Sequence, residues 1–408
     1  MIGRGLAQYP PGRDDDGLAL VLALLFIVLL TALVVDFSYE MEVEASFVQA
    51  QNTEFTAYLA AKSAIAGGLG MLAADIIVEE EQDAANAKGT SGKNSGSGPA
   101  DQSISRAVDC LEDAWAMGVP MAPMNDSLMQ CTIDDEYGKI NLNALVYLRP
   151  DASPEDEDAE LVNGKLRDML LFLFDFRELE EVTSEEIVDC ILDWLDKDAE
   201  ERDSGAETDY YQGLDPPFAS KDGPMDHISE LLLIPGITPK VYFGDPEMEQ
   251  VPLNELLTVH GHPQGKINVN TAEPEVLQAY FAADGNFPDP VAMALQVIQN
   301  LEQNGPYEGL QDMESDGLIV APRKGDDGKK PGKKPKAAVP AGGAGDGTGD
   351  EDAQDEIILL EWASETFRLY GDGEAGDSKV RIEAYVWRDT HAIGTAQMFR
   401  ILDWRVIR

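Results

Sequence analysis

The residues best suited to chemistry form an acidic segment between Asp193 and Asp222. Ten of its thirty residues carry a carboxylate, and none is His or Cys. Hard oxygen ligands on a flexible loop are what Ca²⁺ binds, whereas Zn²⁺ prefers nitrogen and sulfur ligands. The spacing of the carboxylates does not fit an EF-hand loop. The residues alone therefore leave two alternatives open, a calcium site and an ordinary solvated acidic loop.

Other arrangements of reactive residues favour catalysis or metal binding much less. His260 and His262 can ligate a metal, but no third ligand lies at a useful spacing, so a loop at a strand end is favoured. The sequence contains no Gly-rich phosphate loop, no nucleophile elbow and no triad with a His. With four His in the whole chain, we do not expect an enzyme.

The chain has three cysteines, which are too few for a disulfide scaffold. Cys110 and Cys131 flank a segment rich in Met and Pro and can form one bridge in an oxidising compartment. Cys190 lies on the apolar side of a predicted helix, which favours a buried thiol.

The overall charge argues against several classes of partner. The 408 residues include 76 Asp and Glu against 30 Lys and Arg, which gives a formal net charge of −46. This balance disfavours nucleic acid, whose phosphates require Lys and Arg, and docking on anionic lipid by surface charge. A hydrophobic content of 44% excludes wholesale disorder. The length corresponds to about two to three domains.

The first secondary-structure element that the sequence predicts is an apolar helix at 18–35. Its 18 uncharged residues can just span the hydrocarbon core of a bilayer as a helix. A secretory signal peptide is disfavoured because the residues from Asp36 onward, DFSYEMEVE, offer no small-residue cleavage site. A plain membrane anchor remains an alternative.

Helical propensity continues from Glu40 to Asp75. We therefore predict one helix of about 55 residues, about 80 Å long, that is apolar all round in its first third and amphipathic beyond it. The apolar side chains of the amphipathic part fall near one stripe: Phe47, Phe55, Leu59, Ile65, Leu69 and Leu72.

Two similar motifs, GKINLN at 138–143 and GKINVN at 265–270, alternate apolar and Asn residues. The alternation predicts two short, half-buried strands, and we expect the Asn side chains to close turns by bonding the backbone. Apolar residues at helical spacing predict helices at 165–176, 184–195, 228–234, 273–281 and 290–301. The carboxyl-terminal part predicts strands at 356–361, 366–369, 379–387 and 398–406, with a hairpin turn at 371–377.

Two stretches have the composition of linkers. Residues 88–100 are rich in Gly and Ser, and residues 323–350 are of low complexity. Seven basic residues lie at the start of the second stretch, and an ordinary disordered insertion is favoured there over a basic recognition tail.

The amino-terminal arrangement resembles that of type IV pilins and pseudopilins. A short leader ends in Gly17, and an apolar helix follows at once and continues into a soluble body. In those families a membrane peptidase cuts after the Gly and methylates the new amino terminus, which implies a mature chain that starts at Leu18. The fifth mature residue is Leu22, where most members carry Glu. That departure is expected of the K-type minor pseudopilin of the bacterial type II secretion system, whereas the acidic leader departs from the usual basic one.

Four internal segments resemble the same K-type family. They are DDEYGKINLN at 134–143, DWLDKD with the following GAE and YY at 193–211, ISELLLIPGIT at 228–238, and GKINVNTA at 265–272. The resemblance implies an α+β pseudopilin fold, in which a long amino-terminal helix packs on an antiparallel sheet and a large α-helical domain is inserted. It also implies calcium in the acidic segment, where the favoured ligands are Asp196, Asp198, Glu207 and Asp222.

The expected layout has seven parts. They are a prepilin leader at 1–17, a transmembrane helix at 18–35, its periplasmic continuation at 36–80, a linker with the first pseudopilin strands at 81–150, the inserted helical domain at 151–320, a disordered linker at 321–355, and the last pseudopilin strands at 356–408.

The resemblance predicts a minor pseudopilin at the tip of the type II secretion pseudopilus, which supports export of folded periplasmic proteins across the outer membrane. We expect a single-pass inner-membrane protein with most of its chain in the periplasm. The expected partners are the I- and J-type minor pseudopilins, the prepilin peptidase and inner-membrane components of the secretion system. The alternative is a membrane-anchored periplasmic calcium-binding or adaptor protein, and an anchored hydrolase is disfavoured.

Overall fold

The computed structural model describes residues 15–89, 108–149, 160–319 and 358–407, apart from positions 178, 180, 181, 246, 247, 249, 391, 393, 394 and 396. The predicted linker 321–355 lies outside the described residues, as do most of the predicted linker 88–100 and the start of the strand predicted at 356–361.

The first element is a single helix, α1, which runs over Asp15–Gly89. Its 75 residues make it longer than predicted, about 110 Å at the standard helical rise. The side chains from Leu18 to Asn52 are exposed, and the helix meets the rest of the protein only beyond them. By length and composition, its apolar part fits a single-pass membrane anchor for a large soluble body.

The remaining strands and helices are named in chain order. The strands are β1 (Val119–Met124), β2 (Ser127–Asp135), β3 (Ile140–Asn141), β4 (Val146–Leu148), β5 (Glu160–Val162), β6 (Leu257–Thr258), β7 (Ile267–Asn268), β8 (Leu360–Glu361), β9 (Thr366–Ala375), β10 (Ser378–Arg388) and β11 (Phe399–Ile407). The helices are α2 (Gly164–Asp175), α3 (Ser184–Leu195), α4 (Thr208–Gln212), α5 (Pro239–Phe243), α6 (Leu253–Leu256), α7 (Pro274–Asp284), α8 (Pro290–Asn304) and α9 (Leu310–Ser315).

An antiparallel sheet in the order β1-β2-β9-β10-β11 packs one face on α1. Buried residues of α1, among them Ala57, Ala61 and Leu72, form one hydrophobic core with the inner face of the sheet. On the predicted stripe, Ile65 and Leu72 are buried here, whereas Phe47, Phe55 and Leu59 remain exposed. The pseudopilin fold of the α+β class is thus confirmed, with a long amino-terminal helix on an antiparallel sheet.

The hairpin turn predicted at 371–377 is wrong in its extent. Strand β9 continues to Ala375 and β10 begins at Ser378, so the turn consists of Gly376 and Asp377. The glycines that suggested a turn serve close packing instead. A Cβ at Gly371 would lie 2.4 Å from the carbonyl oxygen of Ala61, because the backbone of α1 lies directly on the strand.

Helices α2 to α9 build a second hydrophobic core, separate from the first. The segment predicted as a helix at 228–234 is a 3₁₀ helix over Ile228–Leu233 instead, and a second 3₁₀ helix spans Leu142–Ala144. This helical domain leaves the sheet after Asp135 at the end of β2 and returns to it at Thr366. Its loops cover part of the outer face of the sheet, where Arg368 and Tyr385 are buried.

The two repeated motifs form strands β3 and β7, each two residues long and paired in parallel with β6 and β8. The prediction that they are half-buried is wrong, since Asn141 and Asn268 in the strands are buried along with Ile140 and Ile267. The expected role of these Asn side chains is confirmed. Asn141 and Asn268 each accept a hydrogen bond from the backbone N–H two residues later, which closes a turn, and Asn143 bonds the backbone of Met225 and Val259.

Candidate cation site and relationship to known proteins

The acidic segment begins on the last turn of α3. A complete capping box of Thr183 and Glu186 starts this helix, and apolar residues such as Ile187 and Ile191 bury one face of it. Asp193 therefore lies inside the protein, while Asp196 ends the helix as its C-cap. The segment then loops to α4, whose N-cap is Glu207.

Three of the four predicted ligands lie together. One carboxylate oxygen each from Asp196, Asp198 and Glu207 lies within 4.8 Å of the other two. Asp222 is separated from this group by one hydroxyl group. The Ser220 hydroxyl donates a hydrogen bond to Asp222 and lies 3.5 Å from Glu207 Oε2. The structure thus places Asp222 beside the cluster and not within it.

The environment of the cluster favours a cation. Asp196 Oδ1 and Glu207 Oε1 are buried and have no hydrogen-bond partner among the described residues. Burial raises the pKa of Asp196 to about 6, although hydrogen bonds from Arg202 oppose this effect. Burial and the charges of Asp193 and Asp196 raise the pKa of Glu207 to about 7. Unpaired buried carboxylate oxygens are the donor set that a hard divalent ion such as Ca²⁺ would bind.

Asp193 and Arg202 shape this site but are not among the predicted ligands. Arg202 Nη1 lies 2.5 Å from both Asp193 Oδ1 and Asp196 Oδ2, and Asp193 is fully buried. A Cβ at Gly205 would lie 1.8 Å from Asp193 Oδ2, so only glycine fits there. An Arg within an acidic segment was the available signal, but its two partners depend on how the loop folds back on α3.

A second acidic group lies at the far end of α1. Oxygens of Asp75, Asp109 and Asp113 also lie within 4.8 Å of one another. Arg388 supplies positive charge there, with Nη2 2.6 Å from Asp109 Oδ1 and Nη1 3.7 Å from Asp75 Oδ2. These contacts connect the helix, the loop before β1 and the end of β10. Because the residues are far apart in sequence, no spacing pattern could have revealed them.

The two histidines considered as metal ligands, His260 and His262, and the cysteines lie in ordinary structural environments. The rings of His260 and Tyr385 pack with centroids 4.4 Å apart, while His262 Nδ1 accepts a hydrogen bond from the Gln264 N–H. Neither His belongs to a group of potential metal ligands in the described part of the chain. Cys110, Cys131 and Cys190 are buried free thiols, as expected for Cys190.

The predicted processing position lies near the start of α1. Gly17 and Leu18 are both helical, and the apolar side chains from Leu18 onward, including Leu22, are exposed. This position lies some 35 helical residues before Thr53, where α1 first contacts the sheet through the hydroxyl of Ser378. It is thus held far from the folded body.

Comparisons with known proteins agree with this architecture. Residues 138–243 match the profile of a family described as type II secretion system (T2SS), protein K. The type II secretion system protein K of Aeromonas hydrophila is 30% identical over 168 residues, which are 40% of this chain and 47% of the relative. The protein of the same name from Klebsiella pneumoniae is 25% identical over 43% of this chain and 50% of its own. The chain therefore aligns with about half the length of these curated relatives.

A solved structure extends the similarity to the whole fold. It is the crystal structure of the GspK-GspI-GspJ complex from the type 2 secretion system of enterotoxigenic Escherichia coli. One chain of it matches with a TM-score of 0.56 and 17% identity, over 88% of this chain and 99% of that one. The long helix, the antiparallel sheet and the helical domain thus define a pseudopilin-like fold with a large insertion. Residues 138–243 thus match the type II secretion system protein K family in sequence, and the chain as a whole shares the fold of one chain of this complex.

Proposed function

We propose that this protein is the tip subunit of a type II secretion pseudopilus and supports the export of folded proteins across the outer membrane. Its role is structural. The observation that carries the proposal is the position of the helical domain relative to the apolar part of α1. The similarity to the type II secretion system protein K family supports the same role, whereas no specific observation favours the alternative of a calcium-binding adaptor without filament assembly.

Two contacts fix the direction of the sheet along α1. The Thr53 hydroxyl lies 3.2 Å from that of Ser378, at the start of β10. Arg388, at the end of β10, lies 3.7 Å from Asp75. Strand β10 therefore runs along α1 away from the apolar segment, over about 33 Å. The helical domain leaves the sheet beside Asp135 and returns at Thr366, close to the far end of α1.

A domain at this far end suits the last subunit of a stack. Subunits of a pilus-like filament pack their long helices side by side, so a bulky domain in a repeating position would clash with the subunit above. At the tip it meets no such neighbour. Leu22 agrees with this position, because an apolar side chain there offers no carboxylate to the amino terminus of another subunit.

The proposal includes anchoring and processing. The leader would be removed after Gly17 by the prepilin peptidase, and the mature protein would be held in the inner membrane by residues 18–35, with the rest of the chain in the periplasm. Inner-membrane components of the secretion system would then meet the protein there. The uncharged apolar segment and the uninterrupted helix beyond it support this part of the proposal.

The partners would be the I- and J-type minor pseudopilins. The neighbouring solved structure is a GspK-GspI-GspJ complex, which supports such an assembly. Phe47 and Phe55 on α1 are 63% and 60% exposed although they lie outside the apolar segment at 18–35. Aromatic side chains of this size usually become buried in an interface. We assign the contact with the partner helices to this face.

The proposal also includes one bound Ca²⁺ at Asp196, Asp198 and Glu207, with Asp222 beside them. Buried carboxylate oxygens without hydrogen-bond partners support it. The ion would hold the loop after α3 against α4 and so stabilise the helical domain.

Coexpression with the I- and J-type partners tests the assembly. The full chain should copurify with both, and Phe55→Ser should reduce the yield of the complex at least fivefold. Met117→Ser is the matched control, since Met117 is an apolar side chain that is 77% exposed but belongs to the loop before β1 and not to α1. Equal yields from the two variants would contradict the assigned interface, and no copurification of the unaltered chain would contradict the proposed function.

A further inference from the structure

Arg202 is the one basic residue of the acidic segment that contacts the candidate calcium ligands. The segment contains two other basic residues in its described part, Lys197 and Lys221. Lys197 pairs with Glu160, and Lys221 pairs with Asp226 and Glu230. Arg202 instead directs Nη1 to Asp193 and Asp196, at 2.5 Å from each.

The contact of Arg202 with Asp193 gives a buried carboxylate the partner that it requires. Asp193 is fully buried, and a buried carboxylate without a partner destabilises a protein strongly. Arg202 provides Nη1 to one oxygen of Asp193 and its backbone N–H, at 3.3 Å, to the other. A Cβ at Gly205 would lie 1.8 Å from the same carboxylate, so the loop passes directly over it. Among the described residues, Arg202 is the only basic side chain within ion-pair distance of Asp193.

Asp196 contacts Arg202 with one carboxylate oxygen and leaves the other for the candidate ion site. Its Oδ2 accepts from Arg202, while its Oδ1 has no hydrogen-bond partner among the described residues. Asp196 also supplies one of the oxygens that cluster with those of Asp198 and Glu207. An ion bound there would lie within a few ångströms of the guanidinium, and two positive charges at that separation repel each other.

We propose that the positive charge of Arg202 opposes the binding of Ca²⁺ and so sets the affinity of the site. This inference rests on the calcium site proposed above. With little Ca²⁺ present, Arg202 holds Asp193 and Asp196 and keeps the loop folded. When Ca²⁺ binds, Arg202 weakens binding through its charge and its hold on Asp196. Removal of the Arg202 charge therefore makes the loop less stable without calcium and makes calcium bind more tightly.

The test compares three variants of the full chain in detergent with the unaltered protein. Arg202→Gln removes the charge, Arg202→Lys keeps it, and Lys197→Gln removes a neighbouring charge that does not contact the cluster. The Kd for Ca²⁺ is measured by calorimetry, and the melting temperature is measured in chelator and in Ca²⁺. Arg202→Gln should lower the Kd at least tenfold and lower the melting temperature in chelator, with recovery in Ca²⁺. Arg202→Lys and Lys197→Gln should keep the Kd within about threefold of the unaltered value.

Each outcome decides a separate question. If Arg202→Gln binds Ca²⁺ no more tightly than the unaltered chain, the inference is wrong while the calcium site remains. A purely structural role would lower the melting temperature equally in chelator and in Ca²⁺, which also overturns the inference. If neither protein binds Ca²⁺, the proposed site and the inference both fall. Should Arg202→Gln unfold in chelator, refolding on addition of Ca²⁺ would support the inference, and failure to refold would count against it.

Discussion

Gly373 on β9 lies against the backbone of Ala57 on α1, so closely that a Cβ at Gly373 would be 1.9 Å from the Ala57 carbonyl oxygen. The next glycine on the same face, Gly371, has the same relationship with Ala61. On this face β9 therefore has no side chains at these two positions, and α1 packs directly on the backbone of the strand. Small residues on both surfaces allow the two backbones to approach this closely.

Replacement of Gly373 by Ala should destabilise the soluble body. The new methyl group must displace the backbone of α1, and overpacking of this kind costs about 1–3 kcal/mol of unfolding free energy. Gly70→Ala is the control, because no described atom outside the helix lies within 4 Å of the Cβ position there. That change should leave the free energy unchanged or raise it by up to about 1 kcal/mol. Urea unfolding followed by circular dichroism measures both, and equal effects would show that the close contact is unimportant.

These two glycines also show which structural features the sequence predicts and which it does not. Local patterns of charge and apolar spacing predict the apolar segment, the single long helix α1 and the four carboxyl-terminal strands. The glycines at 371 and 373 predicted a turn because local rules treat glycine as a residue of turns. Only the packing of α1, more than 300 residues earlier in the chain, explains them as part of a strand.

Some features of the candidate cation site are likewise predicted by the sequence, and others depend on the fold. Composition was enough to locate the acidic segment, and three of the four favoured ligands lie together in the structure. The importance of Asp193 and Arg202 depends on burial at the end of α3 and on the return of the loop. The spacing of residues predicts neither feature. Acidic segments of this density are usually solvated, so neither the burial of Asp193 nor its contact with Arg202 is expected from the sequence.

Calcium should stabilise the folded protein. If Ca²⁺ binds only the native state, chelation lowers the melting temperature by mass action. Mg²⁺ at equal ionic strength is the control, because the site is a flexible set of carboxylates that suits the larger ion. Asp198→Asn should abolish most of the difference between the two ions. Equal melting temperatures in Ca²⁺ and Mg²⁺ for the unaltered chain would favour an ordinary acidic loop.

In metal-free buffer, stability should fall as the pH rises from about 4.5 to about 7. The pKa of Glu207 is raised from 4.5 to about 7 in the folded protein, so the native state binds its proton more tightly than the unfolded state does. Stability from this group is therefore fully present below the unfolded pKa and is lost as the pH rises through the folded one.

Glu207→Gln should reduce this dependence on pH, because the amide does not titrate. The exposed Glu200 gives the control, and Glu200→Gln should behave like the unaltered chain. Melting temperatures between pH 4.5 and pH 8 measure the effect. An unchanged slope in Glu207→Gln would contradict the assignment of the dependence to this carboxyl group.

The mature chain should begin at a methylated Leu18. Only Gly17 directly precedes the uncharged segment, since a cut after Gly12 would leave four charged residues, three of them acidic, at the membrane end. Gly17→Val should block processing in cells with an active prepilin peptidase, whereas Gly12→Val should not. Mass spectrometry of the amino terminus measures this, and an intact Met1 in the unaltered membrane protein would refute the prediction.

The position of the subunit in the pseudopilus is the central claim. It rests on a helical domain that leaves the sheet beside Asp135, at the end far from the apolar segment, and on Leu22. Immunogold labelling of assembled pseudopili, with an antibody against the helical domain, tests it most directly. The account predicts label at one end of each pseudopilus, and label spaced evenly along the length would contradict it.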